Sequence, residues 1–246
     1  MKENSAGRWM PLLMLLLGLV ALALRKGLYL FAVDDRGLLV RSHPLGIALA
    51  ALSAAALILV LLAVRKYVAS GTDEYLHRAN LPAAFGNVAA GAGILAAVLN
   101  GTTAMGGYLD RLWYCLGLAA PVCLLLAGFS RVRGKVPFFG FHVVACLFFV
   151  LHIVARYQFW SSDPQLQNYV FALLGTMSLL FFSFYTATLE AGCGNPRVRL
   201  GMGLGAIYLC TAELARSSCP ALYLGGILWV LTELGSLRSD FAVEIQ

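Results

Sequence analysis

The sequence predicts an all-α protein, a polytopic transmembrane helical bundle of about eight spans with no soluble domain. Three observations carry this reading. Hydrophobic residues make up 60% of the 246-residue chain and charged residues only 12%, against the roughly 25% charge of a water-soluble domain. So few polar groups cannot cover a surface that faces water, whereas a surface that faces lipid needs none. The apolar residues also come in runs close to the roughly 20 residues that cross a bilayer core, which fits a mean hydropathy of +0.80. Finally, the basic residues sit in short loops beside these runs, the placement that orients membrane helices.

Divided at charged residues and Gly, Pro or Asn breaks, the spans fall at about 9–31, 45–64, 81–99, 112–129, 136–156, 168–189, 198–215 and 220–236. They form a single integral membrane domain over residues 1–246. Span one follows Lys2 and Arg8 as a signal peptide would, and Ala21-Leu22-Ala23 resembles a cleavage site. However, Arg25 and Lys26 follow at once and the apolar pattern resumes through residue 33, so an uncleaved helix is expected. Residues 32–44 read as a short hairpin around Asp35-Arg36-Gly37, with Pro44 starting span two. Residues 65–80 carry mixed charge and read as an interfacial helix or loop. Only residues 216–219 separate the last two spans. A tight hairpin is expected there, with a re-entrant segment and a count of seven as the alternative.

The pairs Ala50/Ala54, Ala89/Gly93 and Gly201/Gly205 are each four apart, which lets helix backbones approach closely. Trp9, Tyr29, Trp113, Tyr157, Trp160, Tyr185 and Tyr208 lie near span ends, as interfacial belts do. No span is expected to be broken by proline, and no internal repeat of the kind many transporters carry is visible.

Eight spans with the N-terminus inside put eleven basic residues in the cytoplasm, with 131–135 and 197–199 as the clearest markers, and seven outside. Both termini are then cytoplasmic, and the Ala/Leu/Gly-rich layout fits a bacterial cytoplasmic membrane. The net charge of +6 is accounted for by these loops, so no nucleic-acid partner is expected. Six single cysteines show no C-x-x-C pair and read as small buried apolar residues. Cys115 and Cys219 fall on one expected side, which would permit a bridge without requiring it.

Ionisable groups at membrane depth are costly and face the bundle interior or an aqueous cavity, so they mark the candidate sites. Toward the outer side lie Arg25, Lys26, His152, Arg156, Glu213 and Arg216. His152 and Arg156 are four apart and Glu213 and Arg216 three apart, so each pair shares a helix face. Together they read either as a pocket for an anionic small molecule or lipid headgroup, or as long side chains reaching for the interface. Span six carries a polar stripe of Thr176, Ser183 and Glu190 at seven-residue spacing, with Thr186 nearby. That stripe reads either as one wall of a hydrated path, with Glu190 a cation or proton site, or as hydroxyls bonded to their own helix. His142 and Asn87 lie at similar depth and are expected to be buried polar partners. Glu233 reads as an acid at the inner interface.

No H-E-x-x-H, nucleophile elbow, phosphate loop or intramembrane pair of aspartates is present. No metal or cofactor is therefore expected, and His152 is the only plausible base for a catalytic role. Three functions stay open: a transport or solute- or lipid-binding component, a non-catalytic sensor or assembly subunit with a membrane partner, and an enzyme acting on a lipid or isoprenoid phosphate. The lipid bilayer is the one partner common to all three.

Overall fold

The computed structural model describes residues 6–32, 43–66, 79–101, 107–160 and 169–240. The expected hairpin around Asp35 and most of the 65–80 loop lie outside the described residues. Eight α-helices account for nearly all of the rest: α1 (Ala6–Phe31), α2 (Pro44–Lys66), α3 (Leu81–Asn100), α4 (Gly107–Val132), α5 (Gly140–Trp160), α6 (Val170–Glu190), α7 (Pro196–Glu213) and α8 (Pro220–Asp240). No strand occurs among the described residues.

The helix boundaries follow local chemistry. Pro44, Pro196 and Pro220 each open a helix, where the missing N–H is no loss and φ is already set. Asn80 caps α3 by accepting from the Ala83 amide at 3.0 Å, and Asn195 caps α7 by accepting from the Arg197 amide at 3.0 Å. At their C-termini, α4 and α6 are closed by Gly134 (φ +66°) and Gly192 (φ +79°). The amide of Cys193 reaches back to the Thr188 carbonyl at 3.0 Å, and that of Lys135 to the Ser130 carbonyl at 3.0 Å. These left-handed glycine stops leave Arg131 and Glu190 in the final turns of their helices. Pro11 and Pro121 lie within α1 and α4, and both helices run through them unbroken. Helix α4 begins about a turn before the expected span because its first turn absorbs Asp110, an acid favoured near a helix N-terminus.

Six helices, α1 to α6, are long and apolar enough to cross a membrane. Helix α8 has a shorter apolar stretch, Pro220–Gly235. Helix α7 is interrupted in composition by Arg197, Arg199 and Glu213, yet it packs against α1, α2, α6 and α8. Its charges are tolerated because two of them, Arg199 and Glu213, are buried and paired. Short connections join neighbours that also pack together: α1 with α2, α3 with α4, α4 with α5, α5 with α6, α6 with α7, and α7 with α8. Helices α7 and α8 are therefore a packed helical hairpin.

The distribution of side chains is that of a protein dissolved in lipid. Leu16, Leu19, Ile47, Leu57, Ile58, Leu61, Phe85, Leu118, Val122 and Phe129 are exposed, while Arg25, Asn87, Arg131, His142, Ser183, Arg199, Glu213 and Glu233 are buried. The small-residue pairs divide. Gly93 faces the Ala221 backbone of α8, and Gly225 of α8 faces the carbonyl of Ala89, so the Ala89/Gly93 pair belongs to the α3–α8 seam. Gly201 faces Val64 of α2, whereas Ala50 and Ala54 are exposed. The aromatic belt also divides, since Trp9 and Tyr157 are exposed but Trp113 and Tyr208 are buried in the core.

Candidate functional site

The polar side chains gather at opposite ends of the bundle. One group joins the C-terminal ends of α1, α5 and α7 to the N-terminal ends of α6 and α8, around a cavity of about 210 Å³ lined by His152, Arg156, Tyr169, Glu213, Arg216, Ser218, Cys219 and Tyr223, among others. Arg25 forms an ion pair with Glu213 and donates to the Ala212 carbonyl at 3.1 Å. Its guanidinium also stands 4.8 Å over the Phe171 ring. These contacts fix the Glu213 carboxylate at the cavity wall and consume its charge.

The other two arginines are placed differently. Arg156 donates to the Cys219 sulfur at 2.9 Å, and Arg216 lies 4.7 Å over the Tyr29 ring. Among the described residues no carboxylate lies within ion-pair distance of either. His152 is 2% exposed, stacks on Trp113 and lies tilted against Phe148, and its Nδ1 finds no hydrogen-bond partner among the described residues. A buried polar atom in this state is costly. Thr176 and Tyr223 close the floor, their hydroxyls 3.3 Å apart. Of the six residues expected in this group, five come together here, while Lys26 is exposed and outside it.

The second group lies at the far end and is completely enclosed. Arg131 of α4, His142 of α5, Glu190 of α6, Arg199 of α7 and Glu233 of α8 have side chains no more than 2% exposed. Arg199 donates to Glu233 at 2.6 Å and to Thr186 at 3.0 Å. The Arg131 guanidinium is 3.6 Å from Glu190 and 3.9 Å from Glu233. His142 lies between Glu190, 2.8 Å from Nδ1, and Asn87, 3.2 Å from Nε2. Asn87 in turn donates to Glu233 at 3.2 Å. The His142 ring stacks on Trp229 with planes 5° apart, and Ser183 donates to the His142 carbonyl at 2.9 Å.

The sequence alone puts Arg131 and Arg199 in the cytoplasmic loops and Glu233 at the interface. The structure corrects all three, placing them inside the bundle as mutual partners. The available signal is stoichiometric: at one depth the chain carries two acids, Glu190 and Glu233, and two bases within a turn of the same level.

The span-six stripe is shared between the two ends. Thr176 stands behind the cavity wall, its hydroxyl 3.3 Å from that of the lining residue Tyr223, whereas Thr186 and Glu190 belong to the enclosed cluster with Ser183 at its edge. Along α6 and α7 the interval is filled by the buried Leu179, Phe182, Leu204 and Ile207. From Arg199 to Glu213 is fourteen residues, about 21 Å of helix. Both threonines also return bonds to their own helix, Thr176 to Ala172 at 2.8 Å and Thr186 to Phe182 at 2.7 Å.

Among the described residues no group of three or more His, Cys, Asp or Glu side chains could hold a metal ion, and all six cysteines are free, Cys115 being exposed and Cys219 buried. No protein-family model, curated protein or solved structure matches this chain. Its helices and their lipid-facing side chains define its class, a multi-pass helical membrane protein.

Proposed function

We propose that this membrane protein binds a small anion, or the phosphate of a lipid headgroup, in the cavity between α1, α5, α6, α7 and α8, as the recognition site of a solute-binding or transport component. One observation carries the reading: the cavity wall presents two guanidiniums, Arg156 and Arg216, that have no carboxylate within ion-pair distance among the described residues, beside a His152 Nδ1 that has no hydrogen-bond partner among them. Glu213 lies at the same wall, but Arg25 neutralises it. Arginine suits the role because its planar fork matches the oxygens of a phosphate or carboxylate.

The size of the cavity narrows the ligand. About 210 Å³ lies below the roughly 300–1,000 Å³ of pockets that enclose drug-sized ligands. A phosphate, sulfate or small carboxylate fits whole, whereas a lipid would place only its headgroup there. On the positive-inside reading this end faces outward.

The test is native mass spectrometry of protein purified in detergent and titrated with inorganic phosphate, repeated for Arg156→Ala and Lys26→Ala. Loss of one charge-assisted hydrogen bond, about 1.5–3 kcal/mol, weakens binding by roughly tenfold or more. The expected result is a stoichiometric phosphate or phospholipid adduct in wild type and Lys26→Ala, depleted in Arg156→Ala. Adducts of equal strength in all three proteins would mean that the cavity is not where the anion binds.

A further inference from the structure

The enclosed cluster at the opposite end has a property independent of the anion reading, set by which atoms carry hydrogen in the chain Glu190–His142–Asn87–Glu233. One end of the Asn87 amide contacts two acceptors, the Ala83 carbonyl at 2.9 Å and the Glu233 carboxylate at 3.2 Å. A backbone carbonyl cannot donate, so that end must be the NH2 group and both its hydrogens are used. The end facing His142 is then the amide oxygen, an acceptor, at 3.2 Å from Nε2. His142 must therefore carry a hydrogen on Nε2.

With Nε2 protonated, a neutral imidazole has a bare lone pair on Nδ1. That atom lies 2.8 Å from Glu190 Oε2 with both side chains fully buried. An ionised carboxylate in this position would set lone pair against lone pair at hydrogen-bond distance. The contact exists only if one more proton lies between the two atoms, on Nδ1 as an imidazolium or on Oε2 as a carboxylic acid. Charge alone does not hold that proton, because the two guanidiniums and two carboxylates of the cluster already balance without it.

We propose that His142 and Glu190 form a buried proton-binding site, holding one exchangeable proton between Nδ1 and Oε2. The groups facing it are Asn87 from α3, Arg131 from α4, Ser183 and Thr186 from α6, Arg199 from α7, and Glu233 and Trp229 from α8. Release of the proton to solvent leaves neutral His142 and ionised Glu190, the two lone pairs repel, and the side chains separate. Glu190 then keeps Arg131, 3.6 Å from its other oxygen, while His142 keeps Asn87. The proton is thus a link between α5 and α6, made on binding and broken on release. Its ligand class is the hydron.

Nitrogen-15 and carbon-13 NMR of protein labelled at histidine and glutamate and reconstituted in nanodiscs tests this from about pH 5 to about pH 8. The His142 signals are assigned as those that persist in His43→Gln, His77→Gln and His152→Gln. The expected result is an Nε2 that carries hydrogen and one further proton, seen either on Nδ1 or as a carboxylic-acid carbon-13 shift of Glu190. In Glu190→Gln the side-chain amide donates to Nδ1, and the acceptor-type shift should hold at every pH. An Nε2 found bare in wild type, or a bare Nδ1 beside a carboxylate-type Glu190 at every pH, would overturn the site. The wild-type titration decides the matter even if the Glu190 variant does not fold.

Discussion

Replacing Glu233 by Gln removes one charge from the enclosed cluster while keeping the shape of the side chain. The structure fixes what is lost. One carboxylate oxygen accepts from Arg199 at 2.6 Å and lies 3.9 Å from Arg131, and the other accepts from Asn87 at 3.2 Å. A glutamine has one acceptor and one donor end, so whichever way it turns, an NH2 group meets a donor. Two guanidiniums then share the single carboxylate of Glu190. Breaking a buried ion pair by removing one partner costs about 3–5 kcal/mol, whereas a neutral hydrogen bond between membrane helices averages about 0.6 kcal/mol and rarely exceeds about 1.7. A charged network and a set of neutral hydrogen bonds are therefore separable by size alone. The double variant Glu233→Gln/Arg199→Gln removes one charge of each sign and restores the balance. It should be less destabilised than the sum of the single variants by about 0.5–3 kcal/mol, the usual coupling for residues in one network. Reversible unfolding in mixed micelles, read by tryptophan fluorescence, measures all four proteins of the cycle. Single-variant costs below about 1 kcal/mol that simply add would refute the paired network.

Two further expectations concern packing, and the same unfolding measurement checks both. A Cβ on Gly225 would stand 2.5 Å from the Ala89 carbonyl oxygen, a backbone atom that cannot step aside. Gly225→Val should therefore force α3 and α8 apart at a cost of about 1–3 kcal/mol. Ala54, although it also sits in a small-residue pair, is exposed on α2. Ala54→Leu should change stability by no more than about 0.5 kcal/mol, and a larger loss would mean that α2 is covered on that side.

The helices are legible in the sequence because each is specified by a local quantity, an uninterrupted apolar run bounded by charge, Pro or Asn. Even α7, whose composition is the least membrane-like, is bracketed to within about two residues by its flanking Pro196 and the break near 216. The cavity residues are legible in part, since His152/Arg156 and Glu213/Arg216 are helix neighbours at i, i+4 and i, i+3. What sequence alone does not reveal is which helices meet. Arg131 and Arg199 lie in the terminal turns of their helices, where a loop arginine that marks topology and a buried arginine paired across the bundle look identical. Only the packing of α4, α6, α7 and α8 at one level brings them onto Glu190 and Glu233. Lys26 misleads in the opposite direction: it neighbours Arg25 in the chain, but the roughly 100° rotation per residue of a helix turns it outward.

Cys219 tests most directly whether the cavity is an anion site. Its sulfur accepts from Arg156 at 2.9 Å, so a ligand held by that arginine must cover it. The measurement is the rate at which a small water-soluble thiol reagent labels Cys219, followed by peptide mass spectrometry with and without inorganic phosphate. Phosphate should slow labelling of Cys219 in wild type and not in Arg156→Ala, and should leave the exposed Cys115 unaffected in both. Labelling of Cys219 at the same rate with and without phosphate, in wild type freed of bound phospholipid, would show that no anion is held there.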